Sequence, residues 1–280
     1  MADGPVTTTS GATYIPEIWS LEVIDAYAKN VVLSNLVDRS YQELARAGHG
    51  NIINVPASKA LTVGAITQGS NVTQVDDTAE GEIIITVSTW EGGRLSFPDI
   101  VAVQTMASLR TAYTSQLGIA MALAIDDDLA TLVSSFAQTV GTLVVNLTDD
   151  NILRARQYLD DANAPNEDRY IVVTPAQLMS FYKEDKYANS LYRGTTGNLD
   201  GKKGRGYIGP LYNTDVYECS NLTANDNTMF QKKAMALVIQ KGPAVEMWRN
   251  VAALMDEIVI HAIWGVREMR DTSGVWMKGL

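Results

Sequence analysis

The sequence predicts an α+β fold built around three outsized elements. One is a helix whose apolar residues step by three and four from Pro98 to about Gln138. The second is an extended hairpin with a polar stretch, Gln68 to Glu82, between two β-prone arms. The third is a strand that alternates from Glu257 to Arg270. An average globular helix has about 11–12 residues and a typical strand about 5–6. Both regular elements therefore exceed what an ordinary enzyme domain requires.

Residues 1 to about 14 are small and polar, which suits an extended arm. A helix should start at Ile15-Pro16-Glu17, because proline fits the first turn and Glu17 answers the positive helix end. Ile18, Leu21, Ile24, Ala28 and Val31 give it one apolar face, which either packs on its own domain or docks on a neighbouring copy. Asn51 to Pro56 reads as a strand ended by proline, and Ala57 to Thr67 as its extended continuation. In the returning arm, Ile83, Ile85 and Val87 point one way, with Ile84, Thr86 and Ser88 on the other. A polar loop as long as the one between these arms is uncommon inside a compact domain.

Ser96-Phe97-Pro98-Asp99 has the pattern of a helix start. Val103, Met106, Leu109, Tyr113, Leu117, Ala120 and Ala124 then form the expected buried stripe. Unbroken, this helix would be roughly 60 Å long at 1.5 Å per residue. Gly118 and the run Asp126-Asp127-Asp128 are the places where it could break. Leu143-Val144-Val145 is a short strand or turn, and Thr148 caps a helix from Asp149 to about Asn163. Tyr170 to Val173 is a buried-type strand. Thr174-Pro175-Ala176-Gln177 matches a capping box and starts a helix to about Glu184. A Gly- and Lys-rich loop from Arg193 to Gly209 precedes strands at Asp215–Glu218 and Ala234–Gln240. In the long strand, Ile258, Ile260, Ala262, Trp264 and Val266 share a face; a turn at Asp271–Gly274 leads to a short strand at Val275–Met277.

Formal net charge is −10, which argues against gripping nucleic acid, since that needs a basic face. The apolar run Gly118 to Ile125 is far shorter than the roughly 20 residues that span a bilayer, so no membrane partner is expected. The N-terminus lacks a basic region followed by an apolar one, so no signal peptide is read there.

Chemistry-bearing motifs fail on spacing or context. His49, His261 and the single Cys219 do not make a zinc pattern or a nucleophile with its base. The three consecutive aspartates fan around a helix rather than converging, and read as a solvated face or helix end. Gly204-Arg205-Gly206-Tyr207-Ile208-Gly209 matches Gly-x-Gly-x-x-Gly but lacks the preceding strand and following helix of a dinucleotide site. No catalytic residue, cofactor or metal is therefore assigned. The candidates are interface residues instead. Arg193, Lys202, Lys203 and Arg205 form a basic cluster that either suits an acidic partner, for which a neighbouring copy is a candidate, or belongs to a mobile solvated loop. Asp76, Asp77 and Glu80 lie at the hairpin tip, Trp90 and Arg94 follow the hairpin, and Trp19 lies on the N-terminal helix.

The segments Tyr14 to Trp19, Ser34 to Arg39, Phe97-Pro98-Asp99, Tyr170 to Pro175 and Lys241 to Glu246 occur in an order and spacing with a wider parallel. In them the chain resembles tailed-bacteriophage major capsid proteins of the Hong Kong 97 type. The resemblance implies an N-terminal arm (1–40), a peripheral domain (41–56, 98–140 and 246–280) with a spine helix, an extended loop (57–97) lying over an adjacent subunit, and an axial domain (141–245). It implies a coat protein, not an enzyme. Such a protein assembles in the host cytoplasm into hexamers and pentamers of an icosahedral head around double-stranded DNA, which it encloses without specific binding. Further copies of the chain, a portal and a decoration protein are the partners implied. About 15 residues precede the first helix, so a separate scaffolding protein, or prior cleavage of a fused one, is implied. The nearest alternative is an encapsulin-like nanocompartment shell. Others are an acidic cytosolic enzyme and a tail or decoration protein.

Overall fold

A computed structural model describes residues 32–47, 50–57, 66, 68–69, 81–99, 107–183 and 206–280. The expected arm, the helix at 15–31 and most of the hairpin tip lie outside them.

Leu33–Leu36 forms a single helical turn (α1) and Gln42–Ala47 a short helix (α2). Ile52–Ala57 (β1) pairs antiparallel with Gly81–Thr86 (β2), so the two arms do meet as a hairpin. Ile85 and Val87 are buried and Ile84 and Thr86 exposed, as the alternation requires. The predicted strand from Ile83 to Trp90 is nevertheless two strands. At Val87-Ser88 the chain leaves β1 and continues as Thr89–Pro98 (β3), which pairs with a different strand. Gly265 lies under this crossing, where a Cβ would collide with the Thr86 carbonyl.

Ser96 to Pro98 end β3, and of the expected helix start only Asp99 is helical. Their partners Glu257, Asp256 and Met255 hold them in a ladder, and Pro98 tolerates that place because β3 is an edge strand. The described helix is Ala107–Thr131 (α3), roughly 38 Å long at 1.5 Å per residue. It runs unbroken through Gly118 and the aspartates. It does not reach Gln138: a 3₁₀ turn follows at Leu132–Ser135, and Gln138–Gly141 is strand β4.

The buried face of α3 is also rotated by about one residue from expectation. Thr114, Gly118, Met121, Ala122, Ile125, Leu129 and Val133 are buried, whereas Tyr113 and Ala120 are exposed and Leu117 and Ala124 half-buried. A count of large apolar residues passes over the buried Thr114 and Gly118.

Asp149–Asp161 (α4) stops two residues short of Asn163, which adopts a positive φ of 54°. Thr148 occupies its N-cap but its side chain makes no capping bond. Arg169–Val173 (β5) leads into Pro175–Lys183 (α5), where the Thr174 hydroxyl accepts from Gln177 N at 3.3 Å. Tyr207–Leu211 (β6) falls within the expected loop, and Thr214–Glu218 (β7) follows it. Asp226–Gln231 (β8) has no counterpart in the sequence reading. Met235–Asn250 (β9) runs well past Gln240 and pairs with Met255–Glu268 (β10) as a long hairpin. Gly274–Lys278 (β11) turns away from β10 into another sheet.

Three sheets result, in the orders β1-β2, β3-β10-β9 and β4-β11-β8-β5-β7-β6. The six-stranded sheet joins β4 and β11 to strands of the 141–245 segment, although the expected division assigned both 98–140 and 246–280 elsewhere. One core cluster unites α3 (Met121, Ile125, Leu129) with β10 (Ile260, Ala262, Trp264) and one face of the six-stranded sheet (Val172, Phe230). A second fills the opposite face of that sheet under α4 and α5 (Ile152, Leu159, Leu178, Ile171). A third lies between the β1-β2 hairpin, α2 and β9 (Ile85, Val87, Ala45, Val238).

Asp126 ties the start of the described chain to the middle of this core. It is 1% exposed. Its Oδ2 accepts from the backbone N–H of Val32 at 3.0 Å, and its Oδ1 from Ser34 at 3.2 Å. Burial nevertheless raises its pKa, with those amide bonds and Arg39 acting in the opposite direction. Asp128 accepts from the Trp264 indole at 2.7 Å. Only Asp127 is exposed, so the solvated face expected of all three holds for one. Asp126→Ala would strand the N–H groups at the α1 start, and each stranded buried group costs about 1–3 kcal/mol. The expected loss is roughly 3 kcal/mol of stability, measured by urea unfolding.

Candidate subunit interface

The three-stranded sheet places one face on α3. Ile258, Ile260 and Ala262 of β10 line that face, with Leu95, Gly93 and Glu91 opposite them on β3. Cross-strand partners share a face. A Cβ on Gly93 would run into Leu117, and one on Gly92 would come within 2.6 Å of the Ile260 carbonyl, so both glycines are needed for this close packing. A crevice of about 130 Å³ remains between β3 and α3. It is smaller than the roughly 300–1,000 Å³ of a ligand pocket.

The opposite face differs along its length. Near the β2 crossing it is covered by the β1-β2 hairpin, through Ala236, Val238 and Ile263. Farther out, Arg94, Trp248, Val259 and His261 share the face, by the register Val259 opposite Arg94 and Glu257 opposite Trp248. Trp90 is 72% and Trp248 69% exposed. Trp90 meets His261 edge-on, at 6.4 Å between ring centres.

Polar groups on this face are paired locally. Arg94 donates to Glu257 Oε1 at 2.9 Å, and Asn250 Nδ2 to the same oxygen at 3.3 Å. Glu257 is 8% exposed, so Arg94 covers a carboxylate that sits in the sheet. Lys241 Nζ lies 2.5 Å from His261 Nε2 and 3.7 Å from Glu246.

The tip of the β9-β10 hairpin is apolar. Val251 is 73% and Leu254 60% exposed. Ala253 N donates to the Asn250 side chain at 3.1 Å, and Leu254 takes a φ of 49°, which together turn the chain. Arg249 braces the tip by donating to Asp99 Oδ2 at 2.6 Å and to Asp256 at 3.0 Å. That bond to Arg249 is the main reason the Asp99 pKa is lowered.

Of the sequence candidates, Trp90 and Arg94 fall together on this uncovered face. Trp19, Asp76, Asp77, Glu80, Arg193, Lys202, Lys203 and Arg205 lie outside the described residues. Trp248, Val251 and Leu254 were not singled out from the sequence, because the strand was expected to end at Gln240. The signal for them was Asn250, a turn former between two runs that each alternate.

Among the described residues, no cluster of three or more His, Cys, Asp or Glu could hold a metal, and no helix is long and apolar enough to cross a membrane. Cys219 is buried, and burial pushes its thiol up to about 11. Tyr207 to Gly209 enter a strand, where a dinucleotide fingerprint would enter a helix.

The family model described as phage capsid protein matches residues 79–279. Among solved structures, one from Mycobacterium phage Che8 is 25% identical with a TM-score of 0.76, covering 88% of this chain and 90% of that one. The capsid of cyanophage P-SCSP1u is 15% identical with a TM-score of 0.67, covering 89% and 88%. A virus-like particle from Pyrococcus furiosus is 10% identical with a TM-score of 0.62, covering 95% and 100%. No curated protein matches the sequence.

Exposed side chains contribute little to the isolated subunit. Trp90→Ala and Trp248→Ala are each expected to shift its stability within about 0.5 kcal/mol. Buried aromatic anchors at an interface typically cost 2 kcal/mol or more when truncated, roughly. The same variants should therefore reduce assembly sharply, as sedimentation at equal concentration would show.

Proposed function

This chain belongs to the phage capsid protein family, and from that premise we propose how it builds a shell. It is a capsid protein of the Hong Kong 97 fold, and its place is the virion. The family match over residues 79–279 carries this reading. In the proposed assembly, hexamers and pentamers of the chain close an icosahedral head around double-stranded DNA. The spine helix α3 and the long strands form the peripheral part of each subunit, and 141–245 the axial part at the capsomer centres. Segment 57–97 lies over an adjacent subunit.

The formal charge of −10 supports enclosure of DNA without a sequence-specific grip. The chain acts as a structural subunit and carries out no catalysis. The uncovered sheet face with Trp90, Arg94 and Trp248, and the apolar hairpin tip, are the described surfaces best suited to contact neighbouring copies. Trp19, the acidic residues Asp76, Asp77 and Glu80, and the basic cluster Arg193, Lys202, Lys203 and Arg205 complete the proposed contact set. A scaffolding protein, a portal and a decoration protein are the further partners.

Expression alone and with neighbouring genes, followed by negative-stain microscopy, tests the assembly. Closed shells are expected in at least one condition, and small soluble species in every condition would count against it. Deleting residues 68–80 is expected to abolish normal closed shells while leaving a folded subunit, judged by circular dichroism and microscopy. Normal shells from that variant would remove the extended loop from the contact set.

A further inference from the structure

Three connections pass between the half built on α3 and the three-stranded sheet and the half built on the six-stranded sheet. They are 132–137 from α3 to β4, 232–234 from β8 to β9, and 269–273 from β10 to β11. All three meet at one waist. Met269 N and Arg270 N both donate to the Ala234 carbonyl, at 2.7 and 3.2 Å. Ala137 N donates to Asp271 Oδ1 at 2.5 Å, and Ser135 Oγ to Glu268 Oε2 at 2.8 Å.

Among the described residues, one buried side-chain oxygen in this waist lacks a donor. Glu268 Oε1 is buried without a hydrogen-bond partner. The Asp271 carboxyl lies within hydrogen-bonding reach of Glu268. Two ionised carboxylates can only accept, so that contact becomes a bond only when one of them carries a proton. We propose that Glu268 and Asp271 share a proton, and that this proton locks the waist between the two halves of the subunit.

Burial raises the Glu268 pKa, and Asp271 raises it further, while the Ser135 bond and Arg267 oppose the shift. The cationic residues on these segments are Arg267 at the end of β10, Arg270 on the third connection, and Lys232 and Lys233 on the second, and of these Arg267 is the one that acts on Glu268. A raised pKa in the folded state gives stability that is fully present below the ordinary glutamate value of 4.5. That stability is lost as pH rises through the raised value. The lock therefore holds in acid and loosens as pH rises through the raised Glu268 value, above which the two carboxylates repel. The inference concerns the single subunit, so it stands or falls independently of how shells close.

Hydrogen exchange on the full unassembled chain tests it. The amides of Ala137, Met269 and Arg270 would be followed at about pH 5 and about pH 8 and corrected for intrinsic exchange, with Ile171 and Val172 of β5 as a reference. The three waist amides are expected to lose protection at the higher pH, about tenfold for each unit by which the Glu268 pKa is raised. The β5 reference should change much less. Glu268→Gln supplies a permanent N–H to Asp271 and should keep the waist protected at both pH values. Equal protection of the wild-type waist at both values, an equal loss in β5, or survival of the pH effect in Glu268→Gln would each overturn the proposal. Should Glu268→Gln not fold, Asp271→Asn serves in its place. Its Oδ1 can still accept from Ala137, and the same flattening is expected.

Discussion

The fold depends on α3 being buried against two sheets at once. Met121, Ile125, Leu129 and Val133 contact residues of β10 and of the six-stranded sheet within a single core. Neither sheet could close that core alone. The three-stranded sheet is narrow, and among the described residues its distal part has no second layer on the outer face. A sheet is stable when one face is covered by another element, and α3 is that element for both. This explains why the helix must be long and why its buried face contains Gly118. It also explains why Asp126 is tolerated there. Its cost of burial is offset by donors from Val32, Leu33 and Ser34, which fix the start of the described chain on the same helix.

What the sequence discloses follows from which interactions are local. Alternation in β10 was readable because Ile260, Ala262 and Trp264 face the same core. The β5-α5 unit was readable because Thr174, Pro175 and Gln177 encode a helix start within four residues. Non-local terms defeated other assignments. Phe97 and Pro98 carry helix-start chemistry, yet their ladder partners lie more than 150 residues away and hold them in β3, so that Asp99 is the first helical residue. Strand β8 hides in Asp226 to Gln231 because Asn227 and Thr228 are polar. They are buried nonetheless: Asn227 Oδ1 accepts from Thr174 N at 2.8 Å, and Thr228 donates to the Val275 carbonyl at 3.1 Å. Of the interface candidates, two could be placed on one surface. The neighbouring Trp248 escaped because Lys241-Gly242-Pro243 looks like a strand end, whereas the strand continues through it.

Proline placement bears on how such a subunit meets its copies. Pro56, Pro98, Pro210 and Pro243 lie in β1, β3, β6 and β9, each at the edge of its sheet. Proline withholds an N–H from the edge and interrupts any continuous ladder with another chain. At high local concentration, unblunted edges would invite indiscriminate pairing. Blunted edges leave faces and tips as the better surfaces for specific contact.

The distal β9-β10 hairpin shows why self-association is the natural complement of this fold. Its two strands are locked to each other and to β3, and Arg249 braces the tip. Yet Trp248, Val251 and Leu254 remain largely exposed. Rigid apolar surface is costly in an isolated domain, because water must cover it while ordering has already taken its entropy. The same rigidity lowers the cost of binding, since little further order is lost when a partner arrives. A subunit that must meet identical neighbours at fixed angles gains a preformed contact, held at a defined distance from the core by two long strands.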